Sequence, residues 1–400
     1  MLNGGFASST KVASGGSAVV QGGASVRGTV VEDHGHLIFY ANANGENISL
    51  SDQAALTVNV AGTNTNRITG TNGDETAFTV QNGVAQNLKL TNSGSLFISS
   101  GAVGSNTVVG SKGLLSVSSA GAASSTVIKQ GGSASILSGG VLQNTKVQQG
   151  KVNVALGGVM KDSEIQAGAT VTLNAGAVHT GKLTIEADTN FTANGGTIDF
   201  AVYTLSIDNT EALVNDISKI YGTPVFTVTI DENQEVGSYL LAGNAASMNG
   251  VSVTVKVLDN SSLFTTITVG GGTDMIGEMP VSLSVNESNN LILSLTSTEN
   301  QLLNPFASTV EGAPRYLTIM EVGGVYAGGR GALSKSNYQG SSMLFGGKAA
   351  GNDQDIFFYV KEVENPALSV FGGAMQAAVN GDIYMAVEDS ALSTIYGGSY

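Results

Sequence analysis

Apolar and polar residues alternate in short runs along the first half of the chain, and glycine-rich turns separate these runs. In the segment Gly131–Gly176, apolar residues take every second position of two runs, Val152 with Val154 and Val171 with Leu173. Alternation with a period of two is typical of β-strands, and glycine between the runs is typical of turns. Glycines recur at intervals of eighteen residues, at positions 132, 150 and 168 and again at 140, 158 and 176. A fixed repeat of about twenty residues predicts one structural unit copied along an axis.

Alignment of the repeats produces columns of similar residues, most of them nineteen residues apart. The first column contains Val20, Phe39, Ile98, Val117, Ile136, Val154 and Leu173. The second, two residues earlier and therefore on the same strand face, contains Ala18, Leu37, Leu96, Leu115, Ala134, Val152 and Val171. The third contains Val12, Val31, Leu90, Val109, Ile128, Val147 and Ile165. Two residues before each member of the third lies Thr10, Thr29, Leu88, Thr107, Thr126, Thr145 or Ser163. We predict at least two strands per repeat, with all four columns inside.

These columns predict an all-β fold whose first part, residues 1–204, is a parallel β-solenoid. One rung has no core of its own, but a stack of rungs turns each column into a buried ladder. The period is blurred over residues 41–82, where we expect irregular rungs and a longer loop around Gly62–Glu75. It is regular again from Gly83 to about Gly196.

The pattern changes near residue 205, and residues 205–300 predict a compact, mostly antiparallel β module with one short helix. Asp208 with Glu211 three residues later is typical of a helix start, and Gly222 with Pro224 is typical of a helix end. Six strand-like runs follow, VFTVTI, SYLLA, VSVTVKV, TTITV, VSLSV and LILSL. Such a module could cover the open edge of the solenoid, which would otherwise favour aggregation.

Residues 301–315 contain two of the five prolines and predict a linker, and residues 316–400 begin a second repeat array. Its signature is VYAGG, MLFGG, SVFGG and TIYGG, with aromatic residues at Phe345, Phe371 and Tyr396 spaced by 26 and 25 residues. This pattern predicts a second β-solenoid with longer rungs and an aromatic ladder. The array is expected to be truncated at Tyr400, and the first ten residues lack the basic start and apolar core of a signal peptide.

Composition and charge narrow the range of possible functions. The chain carries a net charge of −14 and no Cys. Residues 1–200 hold 11 acidic and 10 basic residues, whereas residues 201–400 hold 20 and 7. No basic stripe is present to neutralise phosphates, so nucleic acid is not expected as a partner. The acidic half is consistent with solubility and, as an alternative, with binding of calcium or a cationic ligand. The absence of Cys fits an extracellular chain stabilised by ladder hydrogen bonds.

Candidate chemical groups are few, and we predict no catalytic, cofactor or metal site. The nearest approach to the paired acids of a glycan-cleaving enzyme is the set Asp162, Glu164, Glu186, Asp188 and Asp199, with further pairs Asp353 with Asp355 and Glu362 with Glu364. The segment Val269–Asp274 resembles a single calcium-binding repeat without neighbours. The histidines are His34, His36 and His179, too few for a Ser-His-Asp arrangement to be argued. Gly346–Ala349 lacks the residues of a phosphate loop.

The GG-x-apolar and NT-x-V repeats resemble the AIDA-type repeats of bacterial autotransporter adhesin passengers. The segments VIKQGGSASILSGGVLQNTKVQQGKVNV and GSKGLLSVSSAGAASSTVIKQGG carry this resemblance, which covers residues 1–200. It implies a secreted, surface-displayed β-helical stalk active in attachment, aggregation or biofilm, often with sugars on Ser or Thr. Because the Thr column shares the facing of the buried Val column, we expect an internal ladder there. Turn serines such as Ser118, Ser119, Ser124 and Ser138 are better acceptors.

The leading hypothesis is therefore a non-enzymatic, extracellular adhesin or stalk fragment on the bacterial cell surface. Its expected partners are a host or neighbouring cell surface, glycans or matrix proteins, with self-association as a further option. A glycan-active β-helix, either lyase or hydrolase, is the first alternative. A passive spacer, whose binding head lies outside the fragment, is the second.

Overall fold

The computed structural model of the chain describes residues 2–277 and 279–296. Between residues 325 and 398 it describes the segments 325–326, 330–334, 343–345, 356–361, 364–373, 379–388 and 390–398. The chain divides into two compact units, Met1–Ile276 with Val281–Ser294 and Gly277–Pro280 with Leu295–Tyr400. The described residues form β-strands joined by turns and short 3-10 helices, with no α-helix among them. The predicted all-β fold class is confirmed.

The first unit is a parallel β-solenoid in which a regular rung carries three short strands. Strands of successive rungs pair in parallel and build three ladders along the axis. The first ladder contains Ser17–Val20, His36–Phe39, Ala55–Ala61, Ser95–Ser99, Leu114–Val117, Ser133–Ile136, Lys151–Val154 and Thr170–Asn174. Each short strand is bounded by turns, so its hydrogen bonds are made to neighbouring rungs.

The other two ladders are built from shorter strands. The second contains Phe6–Ser8, Ser25–Arg27, Val84–Gln86, Val103–Ser105 and Ala122–Ser124, and the third contains Lys11–Val12, Val30–Val31, Lys89–Leu90, Val108–Val109 and Val127–Ile128. Four longer strands pass through the corner between these two ladders and belong to both: Asn44–Leu50, Val141–Val147, Val159–Ile165 and Val178–Ile185.

The register of the ladders agrees with the predicted columns. Val117 pairs with Ile136 in the first ladder, and Val109 pairs with Ile128 in the third. The apolar columns are buried almost throughout, and the largest side chains in this core include Phe39, Phe78, Phe191 and Phe200. The solenoid prediction is confirmed, and the structure adds the second ladder as a third strand in each rung.

An antiparallel insertion interrupts the stack where the sequence period is blurred. Ala55–Ala61 pairs directly with Ser95–Ser99 in the first ladder. The residues between them form the strands Arg67–Thr71 and Ala77–Gln81, which pair antiparallel, and Ala77–Gln81 also pairs antiparallel with Val84–Gln86. Because Arg67–Thr71 also pairs in parallel with Asn44–Leu50, the two extra strands lie on the side of the second and third ladders, while the first ladder continues unbroken.

The parallel stack also continues beyond residue 204. Asn190–Ala201 and Ile220–Ile230 run through the first and second ladders and pair with each other in parallel, and Ser252–Val257 pairs in parallel with Ile220–Ile230. Asn260–Thr268 then returns antiparallel along Ser252–Val257. A further four-stranded sheet has the order Gly237–Ala242, Leu291–Leu295, Met279–Val285, Thr273–Ile276. Each of the six strand-like runs that the sequence indicated in this region coincides with a strand, except that Val251 and Val269, at the ends of two runs, lie just outside.

The α-helix predicted from Asp208 is wrong. Val214 instead bridges Leu183 and Ala242 in parallel, which continues the third ladder in extended form. The only helical turns nearby are the 3-10 helices Val202–Thr204, Ile217–Lys219 and Ala246–Met248, and Asp216 caps the second of these by accepting from the Ser218 amide. Extended backbone is favoured because the stack offers unpaired ladder groups that a helix would leave without partners.

The second unit contains two parallel sheets in its described segments. One has the order Val325–Tyr326, Met343–Phe345, Glu364–Phe371, Ala391–Tyr396, and the other has the order Arg330–Ser334, Ile356–Lys361, Ile383–Glu388. The first sheet places Tyr326, Phe345, Phe371 and Tyr396 in one register column. The rings of Phe371 and Tyr396 stack with centroids 4.7 Å apart. The predicted aromatic ladder is confirmed for Phe371 and Tyr396, whereas the predicted linker 301–315 lies outside the described residues.

Candidate functional site

The most regular surface feature of the solenoid is a corner between the second and third ladders where one residue adopts a left-handed conformation. The positions are Ser9, Gly28, Asn47, Asn87, Asn106, Ser125, Asn144, Asp162 and Gly181, with φ between 49° and 77°. Glycine and asparagine accept this conformation at little cost, which explains the Asn of the NT-x-V repeat. Most members are exposed, and Asn106 Nδ2 donates to Asn87 Oδ1 at 3.2 Å. The corner therefore presents amides or hydroxyls at Ser9, Asn47, Asn87, Asn106, Ser125 and Asn144, and the row is interrupted by Gly28, Asp162 and Gly181.

The Thr that follows this corner points inward. Thr29, Thr107, Thr126 and Thr145 are at most 2 % exposed, and Ser163 is 5 % exposed. The hydroxyls of Thr29, Thr107, Thr126 and Ser163 have no hydrogen-bond partner among the described residues. The expected internal ladder is confirmed, so these Thr are inaccessible to a modifying enzyme in the folded state. Of the turn serines, Ser119 and Ser138 are exposed, and Ser118 and Ser124 are half-buried.

Three of the five candidate acids are held by local structural contacts. Asp162 Oδ1 accepts from the Lys182 amide at 2.9 Å, and Glu164 pairs with Lys146 at 2.9 Å. Glu186 accepts from the Ala167 amide at 3.1 Å, and Asp188 occupies an exposed turn with a φ of 56°. Asp162 and Glu164 belong to the same strand, Val159–Ile165, with Asp162 at its left-handed corner, and each carboxylate is engaged by a different lysine residue. The pair Asp353 with Asp355, the residue Glu362 and the segment Gly346–Ala349 lie outside the described residues.

Asp199 differs, because it lies on the outer face of the second ladder and is nevertheless only 7 % exposed. Its carboxylate accepts three threonine hydroxyls, from Thr227 at 2.5 Å, Thr229 at 2.7 Å and Thr180 at 3.0 Å. The ammonium of Lys256 lies 3.8 Å away. A buried carboxylate is tolerated when hydrogen bonds and a nearby cation compensate its lost hydration. Sequence reasoning identified Asp199 but not the threonines or the lysine.

A cavity of about 510 Å³ opens beside this cluster, within the first unit. Val159 and Val178 on the solenoid face form part of its wall. Tyr203, in the 3-10 helix that follows the Asp199 strand, lines another side. Leu258 and Asp259, in the turn after Ser252–Val257, and Asn260 and Ser261, at the start of Asn260–Thr268, line a further side of this open cavity. The cavity thus combines apolar walls with carboxylate, ammonium, amide, hydroxyl and phenol groups, and we call it the Asp199 cavity.

The three histidines lie in unlike environments. His179 is fully buried in the second ladder, where burial lowers its pKa to about 3. His36 Nε2 lies 2.8 Å from Thr57 Oγ1, and partial burial lowers the pKa of its ring, whereas His34 is exposed at a turn.

In the calcium-like segment, Asp274 accepts from the Thr265 hydroxyl at 2.6 Å and the Met275 amide at 2.8 Å, and these bonds lower its pKa. Within the described part of the chain, no group of three or more His, Asp or Glu side chains is placed to hold a metal ion.

The described residues contain no helix that is both long enough and apolar enough to span a membrane.

Comparisons with known proteins give a family match for one part of the chain. No curated protein matches the chain. A solved structure of a TibC-catalysed, hyper-glycosylated fragment of TibA aligns with 65 % of this chain and 84 % of that chain, at 17 % identity and a TM-score of 0.31. Residues 69–132 match the AIDA family, described as an adhesin of the bacterial autotransporter system and probable stalk. The resemblance of these repeats to AIDA-type adhesin stalks is therefore confirmed over residues 69–132.

Proposed function

We propose that the chain is a non-catalytic stalk of a bacterial surface adhesin, displayed outside the cell and active in attachment, aggregation or biofilm. The match of residues 69–132 to the adhesin stalk family carries the proposal. The three ladders support it physically, because hydrogen bonds between rungs and buried apolar columns favour a stiff, extended scaffold over a compact domain.

The surface of the scaffold suits repeated weak contacts. The corner row offers similar exposed groups at Asn87, Asn106, Ser125 and Asn144. A partner that engages several rungs at once gains avidity without a single strong site. A cell surface, a glycan coat, a matrix protein or the same stalk on a neighbouring cell are the partners that such a row would serve.

Surface display tests the proposal. The chain is fused to an outer-surface carrier, and settling of the bacteria and adherence to epithelial cells are measured. Ile128→Asp places a charge in the fully buried third ladder and costs about 4 kcal/mol or more, whereas Ile128→Val retains the core. We expect the parent and Ile128→Val to raise aggregation or adherence and Ile128→Asp to lose the effect.

Two results would contradict the proposal. If cells that display the parent chain settle and adhere no more than cells with the carrier alone, attachment is excluded. If incubation of the purified chain with polysaccharides releases new reducing ends, the non-catalytic assignment is wrong.

A further inference from the structure

The Asp199 cavity lies on the outer surface of the solenoid, and a stalk that only projects a binding region does not require a cavity there. The Asp199 position belongs to an outward-facing column of the second ladder, in which Thr180, Asp199 and Thr227 are register partners. Outward residues of a solenoid normally face water, yet here Thr227, Thr229 and Lys256 from the following strands surround the Asp199 carboxylate. The chain thereby buries an ionised group on its outer surface, which carries a cost that a solvated position would avoid.

The arrangement of groups around the cavity is that of a ligand pocket. Its volume of about 510 Å³ lies within the range of small-molecule sites, which are mostly apolar with a few placed polar groups. Asp199 is fixed by three hydroxyls, so its position is set before any ligand arrives. Lys256 is 44 % exposed and therefore retains donor capacity towards the cavity beyond its contact with Asp199.

The charges around the cavity define the class of ligand. Asp199 and Asp259 contribute two negative charges and Lys256 one positive charge, so the lining has a net charge of −1. The whole chain carries −14. The negative charge of the lining and the negative charge of the whole chain both disfavour an anionic ligand. The lining offers donors and acceptors of several kinds beside a tyrosine ring and valine side chains, which fits a molecule with hydroxyl edges and apolar C–H faces.

We propose that the Asp199 cavity binds an uncharged saccharide of two or three units. The apolar faces of the sugar pack on Tyr203 and the valine wall, and its hydroxyls bond to Lys256, Asn260 and Ser261. The ammonium of Lys256 lies 3.8 Å from the Asp199 carboxylate at the cavity. The proposal goes beyond stalk function, and a stalk without the pocket would still project and aggregate.

Saturation-transfer NMR on the purified full chain tests the proposal. The probes are lactose, maltotriose, mannobiose and diacetylchitobiose at millimolar concentration, with sialyllactose as the acidic counterpart of lactose. We expect at least one neutral sugar to bind, and sialyllactose to bind more weakly than lactose if lactose is the ligand. Ser261→Trp, at an exposed roof position, fills the mouth of the cavity without touching the core. Tyr203→Ala removes the ring. Each should weaken binding at least about tenfold, which corresponds to about 1.4 kcal/mol.

Tyr221→Ala is the matched control, because Tyr221 is an exposed tyrosine, 53 % accessible, that does not line the cavity. Its binding should equal that of the parent. The proposal is overturned if no neutral sugar binds, if only sialyllactose binds, or if Ser261→Trp and Tyr203→Ala bind as the parent does. Circular dichroism confirms that each variant is folded. Because aggregation is measured on displaying cells and sugar binding on the purified chain, either proposal can fail while the other stands.

Discussion

Replacement of His179 by Met should remove a large part of the acid sensitivity of the solenoid. His179 occupies the inner column of the second ladder, in register with Met160 on one side and Ile198 on the other. It is fully buried, and its ring makes an edge contact with Phe191 at 6.3 Å. Neither ring nitrogen has a hydrogen-bond partner among the described residues. Met already fills the same position one rung away, so the column can accept the substitution.

The size of the effect follows from the pKa of the ring in the two states. In the unfolded chain an imidazole has a pKa of about 6.5, whereas burial lowers the pKa of His179 to about 3 in the fold. Below pH 6.5 the unfolded state binds a proton that the folded state does not, so stability is complete above that pH and falls as the pH drops towards 3. The loss is about 1.4 kcal/mol per pH unit. Between pH 7.5 and 4.5 the loss amounts to about 2–3 kcal/mol.

Urea unfolding followed by far-ultraviolet circular dichroism at pH 7.5 and pH 4.5 measures the effect. Carboxylates also titrate in acid, so the decisive quantity is the difference between the parent and His179→Met. We expect the parent to lose about 2–3 kcal/mol more than the variant on acidification. His34→Asn, at an exposed turn, is the control and should behave as the parent. If the parent and His179→Met lose the same free energy, the ring is hydrated or hydrogen-bonded in the fold, and the reasoning is refuted.

Three further substitutions test the packing of a rung by the same unfolding assay. Asn144→Val should lower the free energy of unfolding by about 1–2 kcal/mol, because a β-branched residue is strained at a φ of 50°. Asn144→Gly should stay near the parent. Equal effects of the two substitutions would contradict the argument from the left-handed corner. Thr126→Val should raise the free energy of unfolding by about 1 kcal/mol, because it removes a buried unpaired hydroxyl. The increase should be smaller for Thr145→Val, since the Thr145 hydroxyl donates to a backbone oxygen at 3.4 Å. A lower stability of Thr126→Val would mean that the Thr126 hydroxyl is hydrogen-bonded in the fold. Gly132→Ala should destabilise by about 1–3 kcal/mol, because its methyl would overlap the Val109 carbonyl oxygen; an unchanged midpoint would show that the turn can relax.

Sequence periodicity was sufficient for the first and third ladders but not for the second. The first and third carry large apolar residues in almost every rung, so their columns stand out at a fixed spacing. The second ladder presents Ala85, Gly104 and Ala123 at successive inward positions. These residues are indistinguishable from turn residues in a glycine-rich chain. Their size is set by packing, because a methyl on Gly104 would overlap the Ile98 side chain from the first ladder.

The helix error has a related cause. The residues after Asp208 satisfy local rules for a helix start, and local rules are reliable only when no long-range partner competes. Here the ladder edge at Leu183 offers backbone groups to Val214, and Ala242 pairs on the other side. The pairing partners are about thirty residues away in each direction, beyond the range of any capping pattern.

The Asp199 cavity likewise depends on contacts between distant residues that a local sequence pattern does not record. From the sequence, Asp199 was one of several scattered acids, and nothing set it apart from Asp162 or Asp188. Its carboxylate is surrounded by Thr227 and Thr229, about thirty positions later, and by Lys256, about sixty positions later. These groups meet Asp199 only after two more rungs have stacked.

The sequence by itself determined the architecture, namely the repeat length, the parallel stacking, the inward Thr column and the aromatic ladder of the second array. A periodic signal encodes these features because each rung repeats the same local choices of turn and inward residue. The tertiary structure alone decided which outward residues became buried, where small residues were required and how the chain continued past residue 204. Those outcomes depend on contacts between residues far apart in the chain, which no local pattern records.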